Sequence, residues 1–462
     1  MKLVLLSGGS GKRLWPLSND TRSKQFLKVL ESNSEEKKSM VQRVWGQLGA
    51  VGLADSSVIA TSKMQRDMIH NQIGTDVPLI IEPERRDTFP AIALATSFLY
   101  SIQNVSEDEV VVVLPVDPYV EDGFFEKVKE LENVLLDSNA DLALVGVRPT
   151  YPSSKYGYIV PVKKVNDDSY FTVNHFSEKP SEEKAQTLID MNALWNCGVF
   201  AFKLKYIIDF LLEKGLPLHY DKLSLNYKNL PKISFDYEVV EKAKHIVALP
   251  YDGYWKDLGT WNTLTEEMAT THIGKGVLSD DNENTHLINE LDIPITVIGV
   301  KDIVVAASPD GILVADKASS PKIKELISGF EQPPMYEERI WGWSRVLDYA
   351  NYDDGDEMVT KRICIHEGKN SSYHYHNLRD EVWTIVRGEG ELALDDYITR
   401  VKAGDIIHLP AGKKHGIKAF SELEFIEVQT GIGISEEDFT RLYFEWDDVI
   451  NHFQKSKAKV IL

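Results

Sequence analysis

The chain has 462 residues, of which 43% are hydrophobic and 26% charged, a composition that is typical of folded globular proteins and excludes disordered and fibrous classes. Its formal net charge of −20 repels polyanions, which argues against a binding surface for nucleic acids or anionic membranes. It has only two cysteines, Cys197 and Cys364, and no apolar run near the roughly 20 residues of a membrane span, so we expect a cytoplasmic protein in a reducing compartment.

Short runs rich in Val, Ile and Leu alternate with helical patterns over residues 1–270. The predicted strands are 2–6, 57–60, 79–81, 110–116, 142–147 and 245–249. This alternation predicts a Rossmann-like α/β domain with a mostly parallel sheet that helices cover. Because runs such as 110–116 are apolar at nearly every position, we expect strands that are buried on both faces.

The pattern changes twice along the rest of the chain. Residues 271–330 predict a short β-rich connecting module, with strands at 293–300, 303–306 and 311–315 and a helix at 322–327. Residues 331–462 carry closely spaced runs that Gly, Asp and Pro interrupt, at 361–365, 381–387, 390–394, 406–409 and 423–428. Such spacing without intervening helices predicts a small β-barrel or sandwich.

A glycine loop follows the first predicted strand. Gly8, Gly9 and Gly11 would let backbone N–H groups approach phosphate oxygens closely. A Walker loop is excluded because Arg13 stands where Ser or Thr should be, and a dinucleotide fingerprint fails because its third glycine would fall at Leu14. The number of glycines by itself is as typical of a structural turn as it is of a phosphate-binding loop.

Four cations lie close to this loop in an otherwise acidic chain. Lys12, Arg13, Arg22 and Lys24 fall within about a dozen positions and would supply positive charge to a triphosphate. A solvated charged face is the alternative interpretation.

The loop at 7–17 (SGGSGKRLWPL) and the segment 23–27 (SKQFL) resemble the signature of bacterial mannose-1-phosphate guanylyltransferases, GGxGTRLWPLS followed by PKQFL. Lys12 in place of Thr and Ser23 in place of Pro depart from it. Further matches follow in family order at 82–92 (EPERRDTFPAI), 114–117 (LPVD), 156–159 (YGYI), 176–180 (FSEKP), 195–198 (WNCG) and 255–261 (WKDLGTW). The resemblance covers essentially the whole predicted α/β domain and implies a sugar-phosphate nucleotidyltransferase.

The resemblance implies a role for each matching residue. Asp117 and Asp257 would hold Mg²⁺, while Arg13 and Lys24 would neutralise the triphosphate. In the sugar pocket Lys179 would bind the sugar phosphate, and Glu178 would form hydrogen bonds to the sugar hydroxyls. Asn196 and Gly157 would also line this pocket. This set suits the chemistry, because attack of one polyanion on another needs a metal ion and cations more than a protein nucleophile.

Two further departures leave the substrates open. Asp87 stands where the family commonly has Asn, and Pro118 replaces a His. We therefore weigh three hypotheses: transfer from GTP to mannose 1-phosphate, the same reaction with another nucleotide or sugar 1-phosphate, and a non-catalytic sugar-nucleotide sensor. We also expect small-molecule substrates and a homo-oligomer.

The spacing of residues in the C-terminal part matches the two cupin motifs. The first, G-x5-H-x-H-x4-E-x6-G, contains His374, His376 and Glu381, and the second contains His415. Because His374 and His376 alternate along one strand, both imidazoles can meet one ion. With Glu381 and His415 they form a mixed N/O set for Zn, Mn, Fe or Ni. Scattered surface histidines are the alternative.

This region also resembles the phosphomannose isomerase domain that is fused to type II guanylyltransferases. Segments 339–342 (RIWG) and 427–431 (EVQTG) carry the resemblance. His374 replaces the usual Gln, and the closing YGR tripeptide is missing after Arg441. An active isomerase and a regulatory or structural metal-binding cupin therefore both remain open.

Overall fold

In the computed structural model of the protein, the described residues are 1–9, 12–30, 37–162, 170–330, 332–395, 397–434 and 438–460. Within these ranges no helix has both the length and the apolar character needed to cross a membrane.

The N-terminal part contains eleven strands and nine α-helices within the described ranges. The strands are β1 (Lys2–Leu6), β2 (Ser57–Ser62), β3 (Leu79–Glu82), β4 (Val110–Pro115), β5 (Pro118–Val120), β6 (Leu142–Val147), β7 (Tyr158–Pro161), β8 (Phe171–Ser177), β9 (Leu194–Lys203), β10 (Ile246–Tyr251) and β11 (Trp255–Asp257). The helices are α1 (Met40–Ala50), α2 (Arg66–Ile73), α3 (Thr88–Ser101), α4 (Gly123–Ser138), α5 (Glu182–Asp190), α6 (Leu204–Glu213), α7 (Tyr220–Leu225), α8 (Phe235–Glu238) and α9 (Trp261–Glu266).

Nine of these strands form one sheet in the order β3-β2-β1-β4-β9-β6-β10-β8-β7 across the described residues. Only β8 and β9 run against the others, so the prediction of a mostly parallel sheet is confirmed. Strand β9 was not among the predicted strands; it reverses direction in the middle of the sheet and carries Gly198 at a φ of 77°.

The sheet lies between two hydrophobic layers. On β4, Val112 and Leu114 face the layer that contains α4, whereas Val111 and Val113 face the layer that contains α3 and α6. All four are at most 1% exposed. This arrangement explains why strands such as β4 are apolar at every position.

A second group of strands follows: β12 (His272–Gly274), β13 (Gly276–Leu278), β14 (His286–Asn289), β15 (Ile295–Val297), β16 (Ile303–Ser308) and β17 (Gly311–Asp316), then α10 (Ile323–Leu326). The strand predicted at 293–300 is confined to β15. This module packs against the segment after the glycine loop: Ser308 Oγ donates to Pro16 O at 2.6 Å, and Leu14 and Leu17 share a buried cluster with Val304 and Ile323. The connecting strands therefore pack against the segment that directly follows the glycine loop.

The C-terminal part is a barrel of two sheets. Its elements are β18 (Tyr336–Arg339), β19 (Gly342–Asn351), β20 (Asp356–Ile365), β21 (Tyr373–Tyr375), β22 (Arg379–Arg387), β23 (Glu389–Leu394), β24 (Tyr397–Lys402), β25 (Ile406–Leu409), β26 (His415–Ala419), β27 (Leu423–Ile432), β28 (Thr440–Tyr443) and α11 (Trp446–Val460). Among the described residues, one sheet has the order β18-β19-β20-β27-β22-β25 and the other β24-β23-β26-β21-β28. Side chains such as Ile365, Trp383 and Phe425 fill the space between them, as the cupin prediction requires.

Candidate functional site

Two aspartates from separate strands meet at one edge of the large sheet. Asp117 follows β4, and Asp257 is the last residue of β11. Strand β11 pairs antiparallel with β5 so that Asp257 lies opposite Pro118, the neighbour of Asp117. Lys24 Nζ lies 2.9 Å from Asp117 Oδ2 and 2.8 Å from Asp257 Oδ1. A single ammonium group thus bridges both carboxylates.

Charge keeps Lys24 and Asp257 ionised despite their burial. Burial lowers the pKa of Lys24, but attraction to Asp117 and Asp257 outweighs it and leaves the pKa above its ordinary value. Burial raises the pKa of Asp257, but Lys24, Arg13 and Lys155 hold that pKa below its ordinary value. Arg13 is therefore close enough to act on this carboxylate through its charge.

Buried polar side chains hold the backbone of the glycine loop. Gly9 O accepts hydrogen bonds from Ser23 Oγ at 2.9 Å and from Gln65 Nε2 at 3.2 Å. Gln25 Nε2 donates to Ser7 O at 3.1 Å. Residues 7–9, the described start of the loop, are thus tied to the segment that carries Lys24.

Residue 8 must be glycine because there is no room for a side chain. A Cβ there would lie 2.6 Å from Glu82 Oε1. Glu82 is buried and accepts a hydrogen bond from Tyr227 Oη at 2.8 Å. Gly11 lies outside the described residues.

The predicted cations do not share one environment. Lys24 faces the aspartates, whereas Arg22 turns away and forms two hydrogen bonds to Glu290, of 2.8 and 2.9 Å. Lys12 is 42% exposed and lies 3.6 Å from Asp20 Oδ2. Arg22 therefore neutralises a carboxylate of the connecting module, which the linear spacing could not reveal.

Asp87, a departure from the family pattern, has a local structural role here. Its Oδ1 accepts from Thr88 N at 2.8 Å at the start of α3, and its φ is 71°. Asp is common at this position before a helix, although the usual cap bonds the second or third helical N–H rather than the first.

The predicted sugar-binding residues come together beside the aspartates. Asn196 N donates to Gly157 O at 2.8 Å, and Lys179 Nζ lies 2.7 Å from Glu178 Oε1. A Cβ at Gly157 would collide with Glu178 Oε2 and lie 2.6 Å from Phe176, so the strand needs glycine there. The side chain of Glu178 is only 6% exposed, and its Oε2 has no hydrogen-bond partner among the described residues. An acceptor is thus left open in the pocket.

One residue of this pocket escaped the sequence analysis. Asp236, in α8, accepts a hydrogen bond from Asn196 Nδ2 at 2.7 Å on its Oδ1. Burial, together with the nearby charge of Glu178, raises the pKa of Asp236 to about 7. The only signal in the sequence was a short helix start at Ser234, which does not point to a ligand site.

Aromatic rings form one wall between the aspartates and the sugar pocket. Tyr156 packs against Trp195 and Trp255, with ring centroids 4.8 and 5.6 Å apart. The indole Nε1 atoms of both tryptophans are buried without a hydrogen-bond partner in the described part of the chain.

Three histidines converge inside the C-terminal barrel. His374 and His415 lie opposite each other on β21 and β26, and the ligand atoms of these two and His376 all lie within 4.8 Å of one another. Each Nδ1 lies near a backbone carbonyl: 2.7 Å for His374, 2.5 Å for His376 and 2.9 Å for His415. With Nδ1 as the donor, the Nε2 lone pairs of His374 and His415 are available to a metal. The Nε2 of His376 accepts a hydrogen bond from Arg379 Nη2 at 2.9 Å, which a metal would have to displace.

Charge and burial keep the imidazoles of His374 and His376 neutral, the form that binds metals. Burial and the other two histidines hold the pKa of His374 well below its usual range. Burial and the Arg379 guanidinium lower the pKa of His376 to about 4.

Glu381 borders the histidine cluster. Its Oε1 lies 2.9 Å from Arg379 Nε and 3.3 Å from His376 Nε2, and its Oε2 lies 3.5 Å from His415 Nε2. Burial raises the pKa of Glu381, but His415, Arg379 and His376 more than compensate and hold it well below its usual range. Glu427 also escaped the sequence analysis; its burial and the charge of Glu381 raise its pKa.

Comparison with known protein families supports these interpretations. The family model described as nucleotidyl transferase matches residues 2–273, and the one described as cupin domain matches residues 361–428. A mannose-1-phosphate guanylyltransferase from Escherichia coli strain K12 is 30% identical over 95% of this chain and 97% of its own length. A putative mannose-1-phosphate guanylyltransferase from Vibrio cholerae serotype O1 is 30% identical over 95% and 98%.

A solved structure shares the fold over most of the chain. It is described as mannose-1-phosphate geranyltransferase from Thermus thermophilus and aligns with a TM-score of 0.58 at 27% identity, covering 72% of this chain and 99% of that one. The sequence relatives cover nearly the full chain, and the nucleotidyl transferase model covers more than half of it. The chain therefore belongs to the nucleotidyl transferase family, and within it to the mannose-1-phosphate guanylyltransferases that carry a C-terminal cupin domain.

Proposed function

We propose that this protein transfers the guanylyl group of GTP to mannose 1-phosphate and releases pyrophosphate. The observation that carries the proposal is the pair Asp117 and Asp257, bridged by Lys24, beside the pocket of Glu178 and Asn196. A phosphate oxygen of mannose 1-phosphate bonds to the α-phosphorus of GTP. The bond from that phosphorus to the oxygen leading to the β-phosphate breaks, and its electron pair leaves with pyrophosphate.

The carboxylate pair fits a hard divalent cation. Asp117 and Asp257 offer oxygen ligands, which Mg²⁺ prefers, and the space between them already holds one positive charge, the Lys24 ammonium. Mg²⁺ held by these two residues would neutralise phosphate charge and make the α-phosphorus more electrophilic.

The chain's own cations bind and orient the triphosphate. Lys24 exchanges an aspartate oxygen for a phosphate oxygen, while Arg13 adds a second positive charge at the same edge. The backbone of Gly8 and Gly9 contacts the phosphates, and the exposed Lys12 adds a positive charge at the rim. Gly11, outside the described residues, stays a predicted third contact.

The sugar pocket orients the nucleophile. Lys179 pairs with the phosphate of the sugar, and the unpartnered Glu178 Oε2 accepts from a sugar hydroxyl. Asn196 and the backbone at Gly157 complete the pocket. Such orientation supplies much of the rate in phosphoryl transfer, where the protein does little covalent chemistry.

Pyrophosphate release by the purified full-length chain tests this function. Each of the four ribonucleoside triphosphates is combined with mannose 1-phosphate, glucose 1-phosphate and a heptose 1-phosphate, with Mg²⁺ and with a chelator. We expect turnover with GTP and mannose 1-phosphate that requires Mg²⁺. Preference for another pair would retain the mechanism and overturn the substrates, and no turnover with any pair would favour the sugar-nucleotide sensor.

Asp236 should make sugar-phosphate binding depend on pH near neutrality. An incoming phosphate monoester raises the pKa of a neighbouring carboxyl further, so binding takes up a proton and weakens as pH rises through about 7. We expect the ionisation of Asp236 to increase the KM for mannose 1-phosphate roughly threefold or more between pH 6 and 8. A pKa shift of one unit on binding corresponds to about a tenfold change in affinity. In Asp236→Asn this component should vanish.

The second ionisation of the substrate phosphate is common to both proteins, so the difference between their profiles isolates Asp236. Asp221→Asn, on the exposed side of α7, is the matched control and should follow the wild-type profile. Identical profiles for wild type and Asp236→Asn would show that Asp236 does not sense the sugar phosphate.

We also propose that the cupin domain holds one divalent transition-metal ion, Zn, Mn, Fe or Ni, on His374, His376 and His415, with Glu381 beside it. The three aligned Nδ1 to carbonyl contacts support this. Interconversion of fructose 6-phosphate and mannose 6-phosphate by the purified chain distinguishes an isomerase from a regulatory or structural site.

A further inference from the structure

A second group of metal-ligand side chains lies on the outside of the barrel, separate from the histidine cluster. Cys364 is in β20, between Ile363 and Ile365, which both pack in the barrel core. Because successive side chains of a strand point to opposite faces, Cys364 faces away from that core.

The pairing of β20 with β27 brings two more ligands to Cys364. Cys364 lies opposite Glu424, and Ile365 lies opposite Leu423. His366, two residues after Cys364, and Glu422, two residues before Glu424, therefore lie on the same outer face at the end of this strand pair. The ligand atoms of Cys364, His366 and Glu422 all lie within 4.8 Å of one another.

These groups are available to an ion. Cys364 is 1% exposed, whereas His366 and Glu422 are exposed, so the thiol forms the floor of the group and the other two its rim. Glu422 has a long ion pair, 3.5 Å to the exposed Arg387. An exposed pair of this kind contributes little free energy and can yield to a metal.

We propose that Cys364, His366 and Glu422 form a second metal site, for a thiophilic divalent ion of the Zn²⁺ class. Thiolate, imidazole and carboxylate are the three side-chain ligands that Zn²⁺ uses, and three protein ligands leave a coordination position for water. On binding, the thiol proton passes to solvent and the sulfur coordinates as thiolate. The ion would link the end of β20 to the turn before β27. This site is independent of the proposed transferase function.

Co²⁺ titration of the full-length protein tests the site, because a thiolate ligand gives Co²⁺ a sulfur-to-metal charge-transfer absorption in the near ultraviolet. The histidine cluster of the cupin contains no sulfur and cannot produce this band. We expect the band in the wild type, with an amplitude that corresponds to one cobalt–thiolate centre per chain, and loss of the band when Zn²⁺ is added.

Cys364→Ser should abolish the band, and Cys197→Ser is the matched control that should retain it. Cys197 is also buried, but its thiol donates to Val145 O at 3.2 Å. His366→Ala and Glu422→Gln change exposed positions, so they remain informative if Cys364→Ser does not fold; each should weaken Co²⁺ binding about tenfold or more.

Absence of the band in the wild type, or its persistence in Cys364→Ser, would overturn the second site. So would unchanged Co²⁺ affinity in both His366→Ala and Glu422→Gln. Pyrophosphate release should be unaffected by Cys364→Ser, His366→Ala and Glu422→Gln, so failure here is distinguishable from failure of the transferase proposal.

Discussion

Asp257→Asn is expected to lower the rate of pyrophosphate release about a thousandfold or more. The change keeps the size of the side chain but removes one of the two charges that face Lys24 and would hold the proposed Mg²⁺. Loss of a single preorganised electrostatic contact at a reacting phosphate or carbonyl typically costs about 100- to 1000-fold, and loss of a metal ligand affects several contacts at once. The measurement is turnover at saturating GTP, mannose 1-phosphate and Mg²⁺.

Asp252→Asn is the matched control for this prediction. Asp252 lies five positions earlier, is 46% exposed and pairs with Arg148 on the surface, so its loss should leave turnover within about twofold. Both variants should keep the wild-type unfolding temperature within a few degrees. Turnover in Asp257→Asn close to that of Asp252→Asn would exclude Asp257 from the metal site.

Asp117→Asn extends the same experiment to the second carboxylate. If both aspartates serve one ion, the double variant should be little slower than either single variant, because residues that act as a unit are strongly non-additive. If the double variant instead loses activity by the product of the two single losses, the two aspartates have independent roles.

His374→Ala should lower the affinity of the cupin domain for a divalent transition metal by about 100-fold or more. His374 lies between the other two histidines, with ring centroids 4.9 Å from His376 and 4.4 Å from His415, so its removal leaves two ligands. Changes to groups that merely orient a metal ligand already cost about 10- to 100-fold, and loss of the ligand itself should cost more. Competition with a chromophoric chelator measures the affinity.

His408→Ala is the control, because His408 is exposed on the outer side of β25 in the same barrel. It should bind metal as the wild type does. Neither variant should change pyrophosphate release, and any isomerase activity should disappear in His374→Ala alone. Equal metal affinity of the two variants would contradict the proposed histidine site.

Local pattern was sufficient for much of the fold. The apolar runs of β1 and β6 match their predicted bounds, because a strand buried on both faces leaves a continuous apolar signal. Strand β25 also matches its predicted bounds, although one of its faces is exposed. Strand β9 left no such signal, since Asn196, Cys197 and Gly198 interrupt it. Its antiparallel direction depends on its neighbours β4 and β6, which lie far from it in sequence.

The candidate sites show the same division. The sequence by itself determined the family, the glycine loop and the alternating histidines of the cupin. Each depends on residues a few positions apart, which the local backbone brings close together. Only the tertiary structure decided that Lys24 bridges Asp117 and Asp257, that Arg22 turns to Glu290, and that Asp236 accepts a hydrogen bond from Asn196 in the proposed sugar pocket. These contacts join residues that are 40 to 268 positions apart, so packing of the whole domain, rather than local spacing, brings them together.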